Sequence, residues 1–241
     1  RTFGLPWNAS LPVLMYNAKA VRATGQPVPS TWAQIESVSK AIKGDSGRRP
    51  LVIAADAWTF EANVLSRGGK LNEGQKPDLN NSDAVEALTQ LARMSAAGQA
   101  QPRTLNEVTK SAIDFARGQN HFVLASVANW TDARKIPFLE LGVAPFPCEK
   151  VGACTIPLGG ATLSVPRGNT PAELVGAVAF WEFLSQPKRL ADWVTTTAYV
   201  PPRRATLPFL SDWYQQNPQL KAAHAQISRA TPRPTPSSTK G

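Results

Sequence analysis

The sequence predicts an α/β protein. Short apolar runs alternate along the chain with stretches of helical period, and three of those stretches open on a capping signature. At 241 residues, 42% hydrophobic and 18% charged, the chain can build a large core as one big domain or two modest ones.

Each element follows in order. The first strand is Val13 to Tyr16, entered through Asn8-Ala9-Ser10. Pro29 precedes Thr31-Trp32-Ala33-Gln34, a capping box that starts a helix; Trp32, Ile35, Val38 and Ile42 share one face until Gly44. Leu51 to Ala55 is a second strand. Between residues 82 and 97, Val85, Leu88, Leu91, Ala92 and Met94 predict an amphipathic helix stopped by Gly98. Thr104 to Glu107 repeats the capping device, with Val108, Ile113 and Phe115 behind it and Gly118 as the stop. Strands at Phe122 to Ser126, Gly142 to Pro145 and Ala161 to Val165 follow. Thr170 to Glu173 is a third capping box, with Pro171 at the favoured first position of a helix through Val175, Val178 and Phe183. Pro187 opens another carrying Leu190, Trp193 and Val194. The Pro-, Ser- and Thr-rich end from Ala230 to Gly241 is expected to be extended or disordered.

Composition narrows the function classes. No run reaches the roughly 18 apolar residues of a membrane span. A basic segment followed by an apolar one is also lacking, so any signal sequence is expected to have been removed. The net charge of +9 comes from scattered Lys and Arg, which argues for a solvated basic surface rather than a nucleic-acid site. Cys148 and Cys154 are too sparse for zinc; they are either a disulfide stapling a loop, as suits an exported protein, or two buried thiols.

Catalytic chemistry finds few candidates. His121 and His224 have no neighbouring acid or cysteine, and neither Gly68-Gly69 nor Gly159-Gly160 stands in a phosphate-loop context. Asp56 and Glu61 lie in an apolar region and make an unconvincing acid pair. No catalytic residue, metal or cofactor is expected. The seven tryptophans are more informative. Trp32, Trp181 and Trp193 fall at core spacing on helices. Trp7, Trp58 and Trp130 stand at strand entrances or strand-to-helix junctions beside small polar residues, a setting that suits a polyol: its C–H faces stack on rings while its hydroxyls take hydrogen bonds.

At this point a family resemblance enters. "GLPWNASLPVLMYNAKAVRATGQPVPSTWAQIESVSKAI" resembles the middle of the extracellular solute-binding proteins of ABC importers, in the branch of sugar and glycerol-3-phosphate binders. Phe115 to Gly118 followed by "HFVLAS", then "LGVAPFP", "PLGGATLSV" and "PKRLADWVTTTAYVPPRRA", resemble further family segments in the family's order, with Val200 in place of the usual Leu. The resemblance implies a type II periplasmic-binding-protein-like fold of two α/β lobes joined by crossing strands. It assigns residues 8–158 to the second lobe, 163–215 to a returning segment of the first, and 216–241 to a return towards the second with an extended tail. On this reading the chain is a fragment, short of family residues at both ends.

Roles carry over one residue at a time. Ser10 matches a position whose hydroxyl meets ligand, although Ala9 departs from the pattern. Trp58 matches a cleft aromatic, and Trp130 aligns near another. Ser126 and Asn129 fall in a turn that faces ligand, with Val127 and Ala128 replacing small or polar residues. Gly159 and Gly160 match a pair whose missing side chains let the backbone approach the solute; a bulge in a crossing strand would explain Gly160 equally. Tyr199 matches a cleft Tyr or else packs in the core, and Trp7 adds a further aromatic. The expected function is the solute-binding component of an ABC importer, taking a sugar, polyol or glycerol-3-phosphate-type solute between lobes and presenting it to the permease subunits, periplasmic or at the cell surface. The rivals are a glycosidase-like enzyme with an aromatic cleft and an interaction fragment that binds no solute.

Overall fold

A computed structural model describes residues 4–43, 49–74, 76–149 and 154–232. The expectations for Gly44 and for residues 233–241 lie outside that range, as does the side chain of Val108.

Two sheets share one continuous entrance. Strand β1 (Leu5–Ser10) is followed after a single residue, Leu11, by β2 (Pro12–Asn17). Helices α1 (Ala18–Ala23) and α2 (Trp32–Lys43) lead to β3 (Leu51–Ala54), α3 (Ala57–Leu65) and a small hairpin of β4 (Asn72–Glu73) and β5 (Lys76–Pro77). Next come α4 (Ser82–Ala96), β6 (Ala100–Arg103), α5 (Val108–Ala116), β7 (Phe122–Ser126), the short α6 (Trp130–Ala133) and β8 (Leu141–Pro145). Strands β2, β3, β6, β7 and β8 form one five-stranded sheet in the order β6-β3-β7-β2-β8. β3 runs parallel to β6 and β7, and β2 runs antiparallel to β7 and β8.

The chain then leaves this sheet. β9 (Ile156–Pro157) gives way to β10 (Gly159–Leu163), which pairs antiparallel with β1 as a separate ribbon. Helices α7 (Pro171–Leu184), α8 (Pro187–Thr197), α9 (Ser211–Gln216) and α10 (Pro218–Ala225) follow, and β11 (Ala230–Thr231) returns to pair with β9. Strands interleaved with helices are what the sequence predicts, and the four strand segments at 13–16, 51–55, 122–126 and 142–145 all enter the large sheet.

The capping signatures act as their chemistry requires. Gln34 donates its backbone N–H to Thr31 Oγ1 (3.2 Å) while its side-chain oxygen accepts from Thr31 N (3.2 Å). Thr170 and Glu173 make the same reciprocal pair before α7. At Thr104 the carboxylate of Glu107 accepts from Thr104 N and Oγ1 (3.0 and 3.1 Å), but a 3-10 turn intervenes before α5 starts. On α2, Trp32, Ile35 and Val38 are wholly buried; the Trp32 indole meets Phe146 edge-on at 5.8 Å and donates to Ser66 Oγ at 2.9 Å. This cluster, with Leu51, Phe122 and Leu220, is the main core.

Two helices depart from their predicted faces. On α4 the buried residues are Ala84, Ala87, Leu91 and Met94, whereas Val85 and Leu88 are exposed. Both rows are i, i+3 rows, and the small alanines win because they let α4 lie close against α3 beside Val64. On α7 no described residue is buried: Val175, Val178, Phe180 and Phe183 all stand open. The sequence pattern does not predict strand β6. Its sequence, Ala-Gln-Pro-Arg, lacks β-branched residues, and Pro102 is accommodated because β6 is the sheet's edge.

Candidate functional site

The ribbon and the large sheet meet where β1 passes into β2, and a cavity of about 670 Å³ opens there, lined as well by the passage from the β9–β11 pair into β10. Ser10 ends β1 opposite Gly159, and Ala9 stands opposite Gly160. A side chain at Gly159 would run into Ser10 Oγ and come within 3.3 Å of the Trp58 ring. Gly160 has φ +126°, and any Cβ there would strike the Asn8 carbonyl oxygen. Asn8 Oδ1 accepts from Ala161 N at 2.7 Å, which ties the two strands beside the glycines. Bare backbone therefore lines this wall.

Trp58 reaches the cavity from the first turn of α3. Asp56 caps that helix, accepting from Thr59 N (2.8 Å) and Thr59 Oγ1 (3.1 Å), and so fixes where the turn begins. Ser126, at the end of β7, lines the cavity on the facing side. Its Oγ accepts from Ala128 N (3.3 Å) and its backbone N–H donates to Asn129 Oδ1 (3.0 Å). The hydroxyl hydrogen of Ser126 and the amide N–H groups of Asn129 stay available for other partners. The turn Pro201-Pro202 closes another side, positioned by Val200 N donating to Ala9 O at 2.8 Å.

Of the residues expected at a site, Ser10, Trp58, Ser126, Gly159 and Gly160 surround this one cavity. Asn129 lines a neighbouring cavity instead. Trp130 lines neither: it is 6% exposed in the main core, because the first turn of α6 faces inward towards α8. Trp7 and Tyr199 stand in an aromatic row. The register of β1 against β10 slips between Pro6 and Asn8, so Trp7 is the unpaired residue of a bulge. Its ring lies 5.0 Å from that of Trp193, and Trp193 stacks on Tyr199 at 6.5 Å and 16°. Sequence reasoning put Trp193 in the core, since it shares the stripe of Leu190 and Val194; no local signal separates the two settings. Trp181, also expected in the core, is only half-buried and donates to the Pro6 carbonyl at 3.0 Å.

Tyr199 follows a strained turn. Ala198 caps α8 with φ 60°, and its carbonyl accepts from His224 Nε2 at 3.0 Å. Tyr214 Oη lies 2.8 Å from His224 Nδ1. Burial holds the imidazole at about 4 and pushes the Tyr214 phenol up to about 12, so both are neutral near pH 7. The tautomer that donates to Ala198 then accepts from Tyr214.

The lining of the 670 Å³ cavity offers a ring, hydroxyls, an amide and bare backbone, and no carboxylate or histidine among the described residues. Such a wall can stack on and hydrogen-bond a hydroxylated molecule, but it supplies no acid–base pair. Among the described residues no group of His, Cys, Asp and Glu could hold a metal ion. Cys148 and Cys154 form a disulfide, and Arg229 Nη1 touches both sulfurs while Nη2 donates to the Phe146 carbonyl at 3.1 Å.

Comparison with known proteins places these features in context. A family described as bacterial extracellular solute-binding protein matches residues 1–222. The sn-glycerol-3-phosphate-binding periplasmic protein UgpB of Escherichia coli strain K12 is 26% identical over 247 residues, 95% of this chain and 56% of that protein. UgpB of Mycobacterium tuberculosis, solved with glycerophosphocholine, superposes with a TM-score of 0.85 at 22% identity over 96% of this chain and 60% of its own. The GacH receptor of Streptomyces glaucescens, solved unliganded and with acarbose, gives 0.85 at 20% identity over 98% and 62%. The chain thus spans little more than half the length of these relatives, and it shares their type II periplasmic-binding-protein fold.

Proposed function

From the premise that this chain belongs to the bacterial extracellular solute-binding proteins, we propose that it supplies one wall of the ligand cleft in the binding component of an ABC importer. The solute is a sugar, polyol or glycerol-3-phosphate-type compound, and the protein is exported. One observation carries this reading. Ser10, Trp58, Ser126, Gly159 and Gly160, distant in sequence, meet around a single cavity where strands cross between two sheets.

The physics supports it. A sugar ring lays a C–H face on Trp58, and Ser10, Ser126 and Asn8 exchange hydrogen bonds with its hydroxyls. The side-chain-free backbone at Gly159-Gly160 lets the solute come close. Residues 8–158 would form one lobe, 163–215 would belong to the other, and 216–241 would return to the first. Solute held by both sides favours the closed arrangement, which the permease recognises.

Isothermal calorimetry with maltose, glycerol and glycerol-3-phosphate tests this. At least one should bind with one-to-one stoichiometry. Gly160→Val should weaken that binding by at least about tenfold, because a branched side chain enters the space at Asn8. No heat with any of the three, together with turnover of a glycoside, would overturn the proposal in favour of an enzyme.

A further inference from the structure

A second cavity of about 580 Å³ lies beside the first, against one face of the five-stranded sheet and open at one side. Its floor is one face of the sheet: Met15 pairs with Val123, Val123 pairs with Val52, and Ala54 and Ala125 continue the same face. Phe115 of α5 and Ala133 of α6 line it as well. It falls within the range of small-molecule sites, roughly 300–1,000 Å³.

Two features say what it would hold. Trp58 and Ser126 line both cavities, so the two spaces adjoin at those residues. Arg103 stands on the wall as well. The charge of Arg103 is already matched by Glu107 (3.2 Å) and Asp114 (2.6 Å), and Asp56 and Asp132 add further acid to the rim. The wall therefore carries no unmatched positive charge and does not call for an anion.

Resting on the solute-binding reading above, we propose that the solute is a conjugate. Its hydroxylated part occupies the first cavity, and an uncharged alkyl or aryl group attached to it occupies the second. Trp58 sits at the junction. A plain sugar would leave the apolar space empty.

The test titrates methyl, butyl and hexyl glucosides, and 1-hexanol alone, into this chain. The readouts are calorimetry and ligand-observed NMR. Each buried methylene should strengthen binding about fourfold, so hexyl glucoside should exceed methyl glucoside by at least about tenfold. Ala125→Phe on the floor and Ala112→Phe at the exposed mouth should each remove that gain and leave methyl glucoside binding unchanged. The second variant guards against misfolding of the first, and near-UV circular dichroism checks both. Equal affinity across the glucosides, with no binding of hexanol, overturns the inference and leaves the solute-binding reading standing. Hexanol binding that both variants abolish, with no glucoside bound, supports the apolar cavity and counts against the solute-binding reading. A gain that survives both substitutions overturns the inference.

Discussion

His224 shows how one side chain couples the fold to pH. Its ring is buried between Tyr214 and the Ala198 carbonyl, and desolvation lowers it from an ordinary 6.5 to about 4. The unfolded chain therefore takes up a proton at a pH where the folded chain does not. Stability is complete above about pH 6.5 and is lost as pH falls towards about 4, by about 2 kcal/mol at about pH 5. Urea melts at neutral pH and at about pH 5 should show this drop, and His224→Gln should flatten it; an unchanged slope in the variant would assign the effect elsewhere. None of this was legible beforehand, because Tyr214 and Ala198 are ten and twenty-six residues away from His224. By contrast the demand for glycine at 159 and 160 was readable as a motif, while its cause, the crowding by Ser10 and Asn8, needed the pairing of β1 with β10.

At the scale of elements, helix boundaries were well marked and helix faces less so. Capping boxes at Thr31 and Thr170 are local chemistry, so the sequence displays them directly. Which apolar row turns inward is decided by the partner, and α4 chose its alanines. β6 escaped notice because an edge strand with a proline has no apolar alternation to read. The helix α7 poses the sharpest energetic question. Apart from Glu173 and Glu182 it is apolar on all sides, yet it leaves Val175 at 71% and Phe180 at 58% exposure. Such helices ordinarily lie inside a protein. Val175→Lys with Phe180→Lys should cost this chain less than about 0.5 kcal/mol, as surface changes do. It should also cut dye binding to exposed apolar surface and raise solubility. A large fall in melting temperature would mean that α7 is already covered.

For the molecule as a whole, the α/β class followed from alternating pattern, since four of the large sheet's five strands carry their own apolar runs and only β6 does not. The separate ribbon did not follow from pattern; the family resemblance implied crossing strands, but not that β1 pairs with β10. The second cavity was invisible, being a property of the spacing between α5 and α6 over small residues such as Ala54 and Ala125. The two open alternatives for the cysteines resolve to a disulfide, and its position explains its value. It closes a short loop between β8 and β9, while Arg229 lays the β11 end of the chain against both sulfurs. Cys148→Ser with Cys154→Ser should lower stability by about 2 kcal/mol, the entropy expected of a loop this short. Chemical denaturation of oxidised and variant protein measures it, and equal midpoints would show that the staple is idle.

Leu11 has a mechanical consequence. It is the one residue between two six-residue strands that belong to different sheets; it is fully buried, and its carbonyl accepts from Val127 N at 2.9 Å. Each strand is a stiff arm about 20 Å long. A turn of about 10° at this fulcrum carries the far end of β1 sideways by about 3 Å, roughly the width of a sugar hydroxyl's hydrogen bond. Leverage of that kind needs no soft loop, only a single anchored peptide between two rigid rods.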